Sequence, residues 1–196
     1  MRHQLLKMFA FVMTLFVVSG AAVASEPSQA ATCTDLGDQL AKAAESAGIP
    51  INREQTVTTT SNGVAFAGTS IAGFEQIPAT QFPKGVDAGF IYLSSPESGI
   101  PAGYYRLRTT ASDRDIRVGS YPGIVSLVNL EGKVVTVVPA TIDTFSVSVP
   151  KPLPFERTLM DAQIASEGQT LLRPYLTITI KIRCPNGSTI TITIRI

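Results

Sequence analysis

The clearest periodicity in the chain lies between Tyr175 and Ile196, where apolar and polar residues alternate one for one. Leu176, Ile178, Ile180, Ile182 and Cys184 hold the even positions of the first arm, and Ile190, Ile192, Ile194 and Ile196 those of the second. Thr, Lys and Arg fill nearly all the odd positions. Side chains alternate across a strand, so each arm has one apolar face and one wet face. Pro185-Asn186-Gly187 suits a three-residue turn: Pro fixes φ, Asn tolerates the second position, and Gly accepts a left-handed one. That turn predicts Cys184 opposite Ser188, Ile182 opposite Ile190, Ile180 opposite Ile192 and Leu176 opposite Ile196. A slip of one residue would turn every isoleucine to the wrong face.

Two more hairpins are predicted. Ser61-Asn62-Gly63 separates runs rich in Thr and Val, with Gly68 and Gly73 as bulge positions. Leu130-Glu131-Gly132 divides the stretch Ile124 to Val138, setting Asn129 opposite Lys133, Leu127 opposite Val135, Ser126 opposite Thr136 and Val125 opposite Val137. That hairpin carries apolar residues on both faces, which predicts cover on both sides. Between them, Ala88–Leu93 and Tyr104–Thr110 read as strands, and 75–87, 94–103 and 112–123 as connections. Ile142–Val149 reads as a separate strand with Phe145, Val147 and Val149 on one side, ended by prolines at 150, 152 and 154. Residues 156–166 read as a short helix with Leu159, Ile164 and Met160 inward. Another helix is predicted after Cys33, with Thr34 or Asp35 as N-cap, Leu36, Leu40, Ala43, Ala44 and Ala47 inward, and Gly48 and Pro50 as its stop. The fold class expected is mainly β: an antiparallel sandwich or partly open barrel with one short N-terminal helix.

The beginning of the chain changes the picture of where this domain works. Arg2 and Lys7 precede an apolar run from Met8 through Val18, and Ala22-Val23-Ala24 has the small-x-small pattern of a cleavage site. Residues 1–24 are therefore expected to be an export signal, 25–32 a flexible leader, and 33–196 a single domain. Cleavage would leave 172 residues, ample for one core. It would also leave fourteen bases against fifteen acids, a net charge of −1. A near-neutral chain with no basic run offers nucleic acid no electrostatic footprint. No later stretch has the length of a transmembrane helix. The expected location is periplasm, cell envelope or medium, and the expected partner an unidentified protein or envelope component.

Export also decides how to read Cys33 and Cys184, the two cysteines of the chain. In an oxidising compartment the expectation is one structural disulfide, closing nearly the whole domain, worth roughly 4–5 kcal/mol in the chain-entropy model. His3, the one histidine, lies within the signal, and the chain has no Trp. The mature chain thus has no imidazole for a triad or a metal site, and with its thiols oxidised no thiolate ligands either. No cofactor, metal or catalytic residue is expected. Ser148-Val149-Pro150-Lys151 has S-x-x-K spacing, but its prolines forbid the helix that would put Ser beside Lys. Asp113-Arg114-Asp115 offers too few oxygens for calcium, next to two arginines.

One surface suggests binding. Tyr104, Arg106 and Arg108 share a strand face, with Arg114 and Arg117 in the next connection, so together they suit a carboxylate or a sugar. Solvated charges offset by Asp113, Asp115 and Glu97 are the plainer account. The expected function is a non-enzymatic exported binding or structural domain. The alternatives are a carboxylate-dependent, glycan-type hydrolase and a small outer-membrane barrel. The first needs two facing acids, and the second would end in an aromatic where this chain has Ile196.

Overall fold

The computed structural model describes residues 33–112, 119–146, 157–166, 174–183 and 188–196. The expected signal and leader, residues 1–32, lie outside them. Helix α1 (Cys33–Ser46) is followed by β1 (Val57–Ser61), β2 (Val64–Ser70), β3 (Val86–Ser95), β4 (Ile100–Thr110) and β5 (Gly119–Asn129). Then come β6 (Val134–Ser146), β7 (Arg157–Ser166), β8 (Pro174–Arg183) and β9 (Ser188–Arg195). All nine strands form one antiparallel sheet in the order β1-β2-β3-β4-β5-β6-β9-β8-β7. Neighbours in sequence are neighbours in space until β6, after which β9 takes the place beside it, a Greek-key arrangement. The sheet curls so that β7 comes to lie against β1 and β2, giving a nearly closed barrel with one open seam. This is the expected partly open barrel.

Alternation builds its interior. Leu176, Ile178, Ile180 and Ile182 of β8 and Ile192 and Ile194 of β9 are buried, together with Phe66, Ile91, Leu93, Leu107, Val125, Leu127 and Ile142. The C-terminal register is the predicted one: Ile182 pairs with Ile190, Ile180 with Ile192, and Leu176 exchanges backbone hydrogen bonds with Ile196. The turn itself, with Cys184 opposite Ser188, lies outside the described residues. On the outer face of these two strands stand Thr177, Thr179, Lys181, Thr191, Thr193 and Arg195. An apolar interior with a polar exterior inverts the pattern of a lipid-facing barrel.

Helix α1 lies on the outside of this sheet. A side chain on Gly37 would sit 3.6 Å from the methyls of Thr56 and Thr58, and Thr58 pairs with the outward-facing Ala67. The helix buries Leu36, Leu40, Ala41 and Ala44, while Ala47 is exposed. It starts at Cys33, two or three residues before the first helical position that either cap would give, so Thr34 and Asp35 fall in its first turn. Gly48, at φ +65°, ends it as a Schellman motif: Ile49 donates to Ala44 and Gly48 to Glu45.

Several expectations are corrected. Gly68 is not a bulge: it pairs in register with Val57 and Ile91, and its missing side chain makes room for Phe66 and Met160. Gly73 is likewise no bulge but a left-handed entry, at φ 79°, to a short 3-10 turn. In the central hairpin the turn is as predicted, with Asn129 bonded to Lys133 at 2.9 Å. A β-bulge then shifts the register: Val128 pairs with Val134, but Leu127 with Thr136 and Val125 with Val138. Val135 is the extra residue. The shift puts Ala140 and Ile142 on the inner face, where an unbulged strand would have faced Val137 inward. That hairpin is also not covered on both sides, since Ile124, Leu130, Val134 and Val137 are 46–52% exposed.

The expected separate strand from Ile142 is the continuation of β6, and what lies past Ser146 falls outside the described residues. Pro139 does not interrupt β6 because pairing with β9 begins only at Ala140; its missing N–H would point to that side, beyond the last ladder bond. The expected helix over 156–166 is strand β7. Its inward residues are Thr158, Met160, Ala162 and Ile164, not Leu159. Apolar residues at 159, 160 and 164 fit either period, and pairing with β8 decides for the strand.

Candidate functional site

The register of β3 and β4 assembles the surface expected to bind. Asp87 pairs across with Arg108, Phe90 with Arg106, and Tyr92 with Tyr104. These residues alternate with Ile91, Tyr105 and Leu107, which face the core. Tyr104, Arg106 and Arg108 therefore do share the outer face of β4. Arg114 and Arg117 lie outside the described residues, as do Asp113 and Asp115.

The charges on this face are partnered by Asp87. Its Oδ2 accepts from Arg106 Nη1 at 2.9 Å and its Oδ1 from Arg108 Nε at 2.9 Å, with Arg108 Nη2 at 3.5 Å. Two guanidiniums thus converge on one carboxylate, leaving one net positive charge. Such charge-assisted pairs also hold both side chains in fixed rotamers. Asp87 went unnoticed in the sequence because it stands twenty-one residues from Arg108. The strand register alone brings them together.

Beside the ion pairs is an aromatic cluster. Tyr104 stacks on Phe90, with ring centres 6.1 Å apart at 13°, and meets Tyr92 at 5.3 Å and 55°. Burial, and after it the neighbouring Tyr92, raises the Tyr104 phenol above its ordinary pKa near 10. Tyr105 points the other way, and its hydroxyl donates to the Pro101 carbonyl. Burial raises its pKa as well.

Following the outer face from β4 to β6, the polar character gives way. Arg106 stands opposite Val128, Arg108 opposite Ser126, and Thr110 opposite Ile124. Ile124 in turn faces Pro139, and Ser126 faces Val137. Ile124, Val137 and Pro139, with Val134 and Leu130 at the hairpin tip, form an exposed aliphatic strip next to the arginines. These five half-exposed side chains amount to roughly 400 Å², the size at which an apolar patch on a domain becomes notable. Bordering it, Pro139, Thr141, Asp143, Thr193 and Arg195 line a shallow groove of about 520 Å³ across β6 and β9.

No paired carboxylates face one another in that groove; among its described lining residues Asp143 is the one acid. Elsewhere Glu75 accepts from the Thr158 hydroxyl at 2.8 Å, and Asp38 lies 3.5 Å from Arg53. Among the described residues no three His, Cys, Asp or Glu come together as metal ligands. No helix among them is long and apolar enough to cross a membrane. Cys33 opens α1, while Cys184 falls outside the described residues, so the expected disulfide is untouched by the geometry. Set against protein-family models, curated proteins and solved structures, the chain matches none.

Proposed function

We propose that this is an exported, non-enzymatic β domain that binds a protein or envelope partner on the outside of its barrel. The observation that carries the reading is the contrast between its two faces. The interior is filled by aliphatic and aromatic side chains, while the outer face of β4–β6 presents an aliphatic strip beside the Arg106–Asp87–Arg108 ion pairs. Half-exposed Ile and Val on the outer face of a sheet, flanked by anchored charges, suit a transient protein interface. The polar outside of β8 and β9 favours an aqueous setting over a lipid-embedded one. Among the described acids, Asp87 and Asp38 face arginines and Glu75 a hydroxyl, which favours binding over hydrolysis.

The test compares purified wild-type protein with Val137→Glu and Ile124→Glu as baits in envelope extract. Both substitutions are at exposed positions and should leave the melting temperature unchanged. Species retained by the wild type should be lost from both variants. Equal retention by all three would refute the outer-face reading. Export is tested separately by sequencing the N-terminus of the mature protein, which should begin at Ser25. The disulfide goes with export: protein unfolded without reductant should show no free thiol, and two reactive thiols per chain would exclude the Cys33–Cys184 bond.

A further inference from the structure

The outer face of β4 to β6 sets chemical terms for whatever covers it. Pairing aligns its side chains in rows across the strands: Arg108, Ser126 and Val137 form one, and Thr110, Ile124 and Pro139 the next. Ile124 and Val137 are 46% and 52% exposed. Arg106 and Arg108 lean away from them, toward Asp87 on β3. Neighbouring strands lie about 4.8 Å apart, so the guanidiniums stand two to three spacings, roughly 10–15 Å, from Val137 and Pro139 on β6.

Two physical constraints follow for a ligand of this face. Asp87 takes Nη1 of Arg106, and Nε and Nη2 of Arg108. A guanidinium has more N–H donors than these, and the two side chains remain 25% and 41% exposed. The three charges leave one positive in surplus, already held in place. One incoming carboxylate would neutralise it without the cost of ordering the arginines. The second constraint is the backbone. β4 and β5 are each paired on both sides, so their N–H and C=O groups are spent within the sheet. A segment lying on the face meets side chains only and must satisfy its own backbone, as a helix does.

We propose that this face receives an acidic amphipathic helix of a partner protein, laid across the strands. The inference rests on the outer-face reading above and adds the chemistry of the partner. Aliphatic side chains three and four residues apart on the helix cover Ile124, Val137 and Pro139. An Asp or Glu two to three turns away, roughly 11–16 Å along the helix, reaches Arg106 and Arg108. The carboxylate chooses the partner and its orientation, and the aliphatic contact supplies the burial.

The test is selection of phage-displayed random peptides, about 18 residues or roughly five helical turns long, on the purified protein. Enriched peptides should carry aliphatic residues at helical spacing and an Asp or Glu two to three turns away. The best of them, made synthetically, is then titrated by fluorescence anisotropy. Exchanging its acidic residues for Lys should weaken binding at least tenfold, a result that needs no variant of the protein. Arg106→Gln combined with Arg108→Gln should weaken it as much, and Val137→Glu should abolish it. Enriched peptides without acids, or a Lys peptide that binds equally well, overturn the acidic-helix inference. The outer-face reading survives that result if Val137→Glu still loses the peptide, and fails if Val137→Glu binds it unchanged. Absence of any enriched peptide also overturns the inference, and retention of the protein on phosphatidylglycerol vesicles would then make the face a lipid contact.

Discussion

Met160 occupies space that Gly68 leaves empty: a β-carbon built on Gly68 would stand 2.9 Å from the Met160 sulfur. The same thioether reaches Gly89, where a β-carbon would lie 2.5 Å from its terminal methyl. One flexible side chain from β7 thus crosses the interior to two glycines on β2 and β3. Gly68→Ala should destabilise the domain by about 1–3 kcal/mol, the usual cost of overpacking. Part of that loss should return in Gly68→Ala combined with Met160→Ala, since residues in contact are not additive. Urea unfolding of the four proteins of this cycle gives the coupling directly. Additive losses would mean that the two sites do not share the space.

Asp87 links Arg106 and Arg108, but all three side chains are partly solvent-exposed. After allowance for screening, Asp87→Asn should cost only about 1 kcal/mol. The loss should shrink as salt is raised, because the Debye length falls to about 3 Å at 1 M. Chemical denaturation at low and high salt checks both points. A loss above roughly 3 kcal/mol would show the pairs acting as a buried network.

Tyr104 and Tyr105 both have phenols whose pKa is raised in the folded protein, chiefly by burial. Their contribution to stability is complete below the unfolded value near 10 and is lost as pH rises through the higher folded value. Melting temperature should therefore fall as pH passes 10. Tyr104→Phe should flatten that decline and leave stability at pH 7–8 nearly unchanged. A decline of the same steepness in the variant would assign it to other groups.

Strand β9 lies between β6 and β8. Deleting Thr191 to Ile196 would remove Ile192 and Ile194 from the core, each worth roughly 1.5–3 kcal/mol. It would also cut the sheet in two, baring an edge on each side of the gap. Against a total stability of about 5–15 kcal/mol, the truncated chain should be unfolded or aggregated. Thr193→Ser, on the outer face, should be nearly silent. Circular dichroism and light scattering distinguish these outcomes.

The sequence reveals this fold where one signal stands alone. Ile178, Ile180, Ile192 and Ile194 can be buried in only one register, so that hairpin was readable to the residue. Asn62-Gly63 and Gly132 likewise mark turns that few other residues could make. Legibility fails where two readings compete or where contacts are distant. Leu159, Met160 and Ile164 fit a helix as well as a strand until β8 is present to pair with them. The bulge at Val135 leaves no mark in a run of valines that would accept either parity. The arginines of the outer face of β4 were visible, but their partner Asp87 belongs to another strand and becomes a neighbour only through pairing.

The place of β9 has a consequence for the order of events in folding. Strands β1 to β6 can join one after another as they leave the ribosome, each beside its predecessor. β7 and β8 join the sheet's hydrogen-bonded ladder only through β9, which pairs with both β8 and β6. Until residues 188–195 are available the sheet is incomplete, with β6 unpaired on the side that β9 takes. Contacts so far apart in sequence form slowly. The last strand of the chain is therefore the one that completes the sheet.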